Sequence, residues 1–213
     1  MKMLETERLL LRPFGPEDFS AVHRYASDEA TTAYMVWGPN TAAQTRAFIS
    51  EAIAQANETP CSNYQYAAVL KDSGELIGAC NLALSGDEAE IGWILNREHW
   101  QQGLGTEMGQ AMLRLGFEDL KLRRIRAVCD AENIASYRVM EKIGMRREGL
   151  FVESRPMRKR LEKPYSDELA YAMLREEWEV QQEIDYYKSL PLLFNGFIEL
   201  PELTDGVIHL LCF

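Results

Sequence analysis

The chain has 213 residues, 46% hydrophobic and 26% charged, enough for one core-bearing domain with an appendage. A formal net charge of -10 argues against nucleic acid or an anionic membrane as partner, since both want a basic face. Four cysteines (Cys61, Cys80, Cys129, Cys212) form no CxxC pair or zinc-like spacing, and no 18-residue apolar run or signal-length N-terminal segment occurs. A cytoplasmic protein with reduced thiols and no metal is therefore expected.

In chain order, "RLLLRPF" (8–14) reads as a short strand stopped by Pro13. In "GPEDFSAVHRYASD", Pro16 suits a first helical position, and Phe19, Val22 and Tyr25 recur at helical spacing. "WGPN" (37–40) is a turn, and "TAAQTRAFISEAIAQANE" (41–58) reads as a second helix. "YQYAAVLKDSGELIGACNLAL" reads as a hairpin and "AEIGWIL" (89–95) as a third strand, antiparallel to it. A loop and helix run from 97 to about 120. The strand "RRIRAVCD" (123–130) and the helix "NIASYRVMEKIG" (133–144), closed by Gly144, come next. The strand "MRREGLFVES", the basic loop "RPMRKRLEKP" (155–164), the strand "DELAYAML" (167–174) and a charged helix from Arg175 complete the pattern. This order suggests an α+β fold with a mixed sheet, not a doubly wound one.

"REHWQQGLGTEMGQAM" (97–112) carries three glycines at a helix entrance and no lysine after them. A triphosphate-binding P-loop would need GxxxxGKS/T, and the lysine and hydroxyl are absent. A dinucleotide fingerprint needs GxGxxG directly after a strand, whereas the spacing here is GxGxxxG, with Met108 at the third glycine position. A third reading is a loop whose successive N–H groups wrap a pyrophosphate at the positive end of a helix. Gly103 and Gly105 would then clear the approach, and Gly109 would let the helix pack closely on the sheet. Against it stands a plain turn. Thirty residues on, Asn133 is a natural N-cap with Ser136 at N3; both read as capping groups or as polar groups facing the same ligand.

Together "ETERLLLRPF", "GELIGACNL", "AEIGWILNREHWQQGLGTEMG", "NIASYRVMEKIGMRREG" and "DELAYAMLREEW" resemble the GNAT superfamily of acyl-coenzyme A-dependent N-acyltransferases. More narrowly they resemble its ribosomal-protein N-terminal-alanine acetyltransferase-like branch. The resemblance runs from residue 5 to about 178, which assigns 1–178 to the acetyltransferase domain and 179–213 to an extension. The apolar end of that extension is expected to add strands to the core or to cover the partner in a homodimer. The implied fold is three-layer, a central, mostly antiparallel twisted sheet flanked by helices. The implied reaction moves an acetyl group from acetyl-coenzyme A to a primary amine, either a protein N-terminus or a small molecule, within a ternary complex. The alternative is a non-catalytic acyl-coenzyme A-binding module.

The family's Q/R-x-x-G-x-G/A loop falls on Trp100–Gly105, so Trp100 replaces the usual Gln or Arg. The resemblance therefore implies pyrophosphate binding by backbone amides of Gln101, Gln102, Gly103, Leu104, Gly105 and Thr106. It places pantetheine along the strand end at Leu95, with Asn133 on the pantetheine arm and Ser136 near the thioester sulfur. An amine of pKa near 10.4 must lose a proton before it attacks. Glu90 matches the family's frequent base position, although a salt-bridged strand residue would look the same. The N–H near Leu95 would stabilise the oxyanion. Many members place an acid tyrosine seven residues after the asparagine, where this chain has Met140. That leaves Ser136, preferred by alignment, and Tyr137 to serve the leaving thiolate.

Overall fold

The structure is a computed structural model and describes residues 1–157 and 164–189. Chain contacts divide the molecule into Met1–Glu179 and Val180–Phe213. In the first unit, eight strands form one sheet: β1 (Leu4–Glu5), β2 (Leu9–Arg12), β3 (Asn63–Leu70), β4 (Leu76–Ser85), β5 (Glu88–Leu95), β6 (Arg124–Asp130), β7 (Arg146–Pro156) and β8 (Tyr165–Leu174). Their spatial order is β1-β2-β3-β4-β5-β6-β8-β7, antiparallel at every junction except β5–β6. The expected mixed, mostly antiparallel sheet is what the chain forms.

Period-two alternation gives each sheet face its own core. On one face Ile91, Ile125, Leu169 and Tyr171 join Leu104, Met108 and Met112 of α3 (Leu104–Arg114) and Met140 of α4 (Ile134–Lys142). On the other, Ala67, Val69 and Ala79 pack against Val22 and Tyr25 of α1 (Phe19–Ala26) and Ile49 and Ala52 of α2 (Ala42–Ala56). The result is the three-layer α-β-α sandwich of the sequence expectation. A fifth helix, α5 (Arg175–Ser189), opens in the first unit, where Trp178 stacks on Phe117 with ring centroids 5.9 Å apart.

Several boundaries differ from the sequence reading. Pro16–Asp18 is a 3-10 turn and the α-helix starts at Phe19. The Asp18 carboxylate accepts the Gly15 N–H at 2.8 Å and forks onto Arg12 at 2.8 and 2.7 Å, which pins that turn to β2. The helix begun at Leu104 widens into a π-turn at Leu115–Asp119, where a Cβ on Gly116 would lie 2.4 Å from Ile125 Cδ1. Arg155 lies in β7, not in the basic loop, because the hairpin pairs Arg155 with Ser166 and Pro156 with Tyr165. The rest of that loop, 158–163, and the apolar segment from 190 onward lie outside the described residues, as does Cys212. Cys61, Cys80 and Cys129 are free thiols; burial pushes Cys80 well above the usual thiol range and Cys129 to about 11.

Candidate active site

The single parallel junction shapes the site. β5 and β6 pair only over Glu88–Glu90 with Arg124–Arg126. Beyond that point β5 stays on β4 through Leu95 and β6 stays on β8 through Asp130, so the two strands diverge. Backbone groups alternate sides along an antiparallel strand. Since the N–H of Asn96 donates to Ile77 of β4 at 2.8 Å, Trp93 and Leu95 direct theirs into the gap. The indole Nε1–H of Trp100 occupies the Leu95 carbonyl at 2.9 Å, which leaves the Leu95 N–H facing the opening.

The glycine loop ends at one side of this gap. Gln101 and Gly103 take positive φ, 60° and 80°, and Gly103 is the N-cap of α3. The cap has no side-chain oxygen, and the first helical bond runs from Glu107 N to Gly103 O at 3.1 Å. The N–H groups of Leu104, Gly105 and Thr106 therefore have no partner within the helix and carry its positive end. The Gln102 side chain folds back to the Glu98 carbonyl at 3.2 Å, so only its backbone serves the loop.

The other two glycines also bring α3 close to its neighbours. Cβ atoms on Gly105 and Gly109 would lie 3.3 Å from Val139 Cγ2 and 3.0 Å from Ile143 Cδ1, with Trp93 of the sheet at 3.6 Å. They seat α3 on α4 first and on the sheet second. Sequence reasoning also missed Arg8. Its guanidinium donates to the Gln102 carbonyl at 2.9 Å and pairs with Glu107 at 2.8 Å, which adds a cation beside the loop. The arginine of "ETERLLLRPF" was the available signal.

On the far side of the gap Asn133 caps α4. Its Oδ1 accepts the Ser136 N–H at 3.1 Å, as the N-cap spacing predicts, which leaves Nδ2 to face outward. A cavity of about 670 Å³ joins these groups: Glu90, Asn133, Ser136 and Met140 all line it. Tyr137, one residue and about 100° further round the helix, instead lines a separate cleft with Arg147, Asp167 and Tyr171. Glu90 stands partly exposed at 3.0 Å from Arg126.

The cavity opens onto the α1–α2 face of the sheet. Gln65, Asn81 and Gly92 are paired in register there, and a Cβ on Gly92 would meet Asn81 Oδ1 at 2.9 Å. Its apolar wall includes Val22, Tyr25, Tyr34, Trp37 and Phe48. Among the described residues, the one group of metal-capable side chains, Glu75, Glu98 and His99, does not line the cavity, and no helix is long and apolar enough to cross a membrane.

The splayed parallel junction thus lies between an uncapped helix N-terminus on one side and a polar-capped helix on the other. Residues 8–146 match the Acetyltransferase (GNAT) domain, and the chain belongs to that family. It is 38% identical to the uncharacterized N-acetyltransferase YnaD of Bacillus subtilis over 177 residues, 82% of this chain and 98% of that one. Among solved structures, the GNAT-family acetyltransferase of Bacillus anthracis matches with a TM-score of 0.72 at 37% identity, covering 82% of this chain and 99% of its own. The ribosomal-protein-S5-alanine acetyltransferase of Vibrio fischeri has the same fold, with a TM-score of 0.68 at 15% identity over 84% of this chain and 99% of its own.

Proposed function

We propose that this chain transfers the acetyl group of acetyl-coenzyme A directly to a primary amine in a ternary complex. The divergence of β5 and β6 carries the reading. It places the Leu95 N–H between the Gly103 loop and the Asn133–Ser136 cap, so one extended ligand can touch all three. The bound thioester supplies the electrophilic carbonyl and the thiolate leaving group. The amides of Leu104, Gly105 and Thr106, with the Gln101–Gly103 turn before them, hold the pyrophosphate. Asn133 Nδ2 and the β5 edge from Trp93 to Leu95 align the pantetheine arm.

The amine enters from the α1–α2 face. Glu90 accepts its proton, directly or through one water, as the C–N bond forms. The Leu95 N–H donates to the carbonyl oxygen as negative charge develops there. The C–S bond then breaks, and Ser136 stabilises a thiolate whose parent thiol has a pKa of about 8.5. Tyr137 faces the other cleft and takes no part in this scheme.

Thiol release from acetyl-coenzyme A with a panel of amines tests the reading. Turnover that Glu90→Gln and Ser136→Ala abolish, with coenzyme A binding retained, is the expected result. Coenzyme A binding without release for any amine would instead mark a binding module.

A further inference from the structure

Among the described residues, six buried side-chain polar atoms lack a hydrogen-bond partner, and three of them, Asp130 Oδ2, Arg155 Nε and the Tyr25 hydroxyl, belong to residues that line the cavity described above. Leaving a buried polar atom unpaired costs about 1–3 kcal/mol, so such a concentration at one cavity calls for a partner from outside the chain. Asp130 is the clearest case. It is 1% exposed; its Oδ1 accepts the Glu132 N–H at 2.9 Å, and its Oδ2 accepts nothing.

Strand alternation puts Asp130 on the acceptor side. Ile125, Ala127 and Cys129 of β6 belong to the core under α3 and α4, so Arg126, Val128 and Asp130 face the side of α1 and α2, with Glu90 and Asn81. Asp130 sits opposite Glu168 in the β6–β8 register, and Glu168 Oε2 takes the Arg155 guanidinium at 2.9 Å. Asp130 and Arg155 are thus neighbours. Glu168 answers the charge of Arg155, while Asp130 has no counter-cation within 4 Å among the described residues.

We infer that Asp130 and Arg155 read the acceptor, Asp130 Oδ2 taking an N–H of its amine and Arg155 Nε–H donating to an oxygen two or three bonds away. The acceptor is then a primary amine with a carbonyl or hydroxyl beside it, on an apolar body that fits against Tyr25, Tyr34, Trp37 and Phe48. Asp130 and Arg155 determine specificity; proton removal stays with Glu90. This rests on the acetyl-transfer reading for the word acceptor, but its test is a binding measurement that needs no transfer.

Calorimetry on the full chain saturated with coenzyme A would use phenylalaninamide, phenylalaninol and phenethylamine. At least one of the first two should bind wild type tenfold or more tighter than phenethylamine, and which one does so distinguishes the carbonyl from the hydroxyl. Asp130→Asn turns an amide N–H towards the amine and should weaken all three at least tenfold with coenzyme A affinity unchanged. Asp130→Ser should do the same and guards against a folding defect in the first variant. Arg155→Lys keeps the charge beside Glu168, removes the Nε–H, and should erase the preference without changing phenethylamine binding. No binding by any of the three amines, equal binding by all three, or loss of coenzyme A affinity in the Asp130 variants would overturn the inference. Asp130-dependent binding without thiol release would sustain it while defeating the transfer reading.

Discussion

The Trp100 indole donates to the Leu95 carbonyl at 2.9 Å, tying the glycine loop to the strand edge that the coenzyme arm would follow. Trp100 stands where the family pattern has Gln or Arg, and its hydrogen bond links the glycine loop to the end of β5. Trp100→Phe keeps the ring and loses the bond, which is worth about 1 kcal/mol. Coenzyme A affinity by calorimetry should fall roughly fivefold, with little change in melting temperature.

Gly103 and Gly109 should fail in different ways. Gly103→Ala forces a side chain into the left-handed region at φ 80°, a cost of about 1–2 kcal/mol. That cost falls at the N–H groups proposed to hold the pyrophosphate, so coenzyme A affinity should drop about tenfold or more. Gly109→Val overfills the contact with Ile143, where even a Cβ sits at 3.0 Å, and should cost about 1–3 kcal/mol of stability. Denaturant melts beside binding isotherms separate the two effects.

Glu90 is about two-fifths exposed and paired with Arg126, so its contribution to stability is small. Glu90→Gln should shift unfolding free energy by less than about 0.5 kcal/mol while lowering turnover by about 100-fold or more. Equal turnover in the variant would remove Glu90 from the mechanism.

Glu148 lies between Arg124 and Arg146, and the hydrogen bond from Arg124 does most to hold its carboxyl near a pKa of about 2, below the ordinary 4.5. The folded state therefore binds fewer protons than the unfolded chain at this group. Its stabilisation is present in full above about pH 4.5 and is lost as pH falls towards 2. Urea melts between pH 7 and pH 3 should show the wild type losing more stability than Glu148→Gln.

Trp178, 6% exposed, packs on Phe117 below the sheet. Trp178→Ala should destabilise the first unit by about 3–5 kcal/mol, read as a lower denaturation midpoint. An unchanged midpoint would mean that the first turn of α5 adds nothing to that core.

Local signals in the sequence carried much of the fold and the two helix starts that flank the candidate site. Alternating apolar residues marked Asn63–Leu70 and Leu76–Ser85, the run 41–58 marked α2, and Asn133 three residues before Ser136 announced the cap found at α4. The missing lysine excluded a P-loop and the GxGxxxG spacing a dinucleotide fingerprint, because both signatures depend on neighbouring residues alone. What needed long-range pairing was not legible. Gly105 and Gly109 proved to be contacts with α4, some 30 residues away, and Arg8 reached Gln102 across 94 positions. The separation of Ser136 from Tyr137 depended on which way α4 turned against the sheet. Asp130, an ordinary strand residue in the sequence, and Arg155, read there as part of a basic loop, line one cavity because β8 enters between β6 and β7 and sets Glu168 opposite Asp130 and in contact with Arg155. Sequence determines local conformation through neighbours a few residues apart; the cavity wall at Asp130 and Arg155 was decided by strand order, which brings together side chains that share no local pattern.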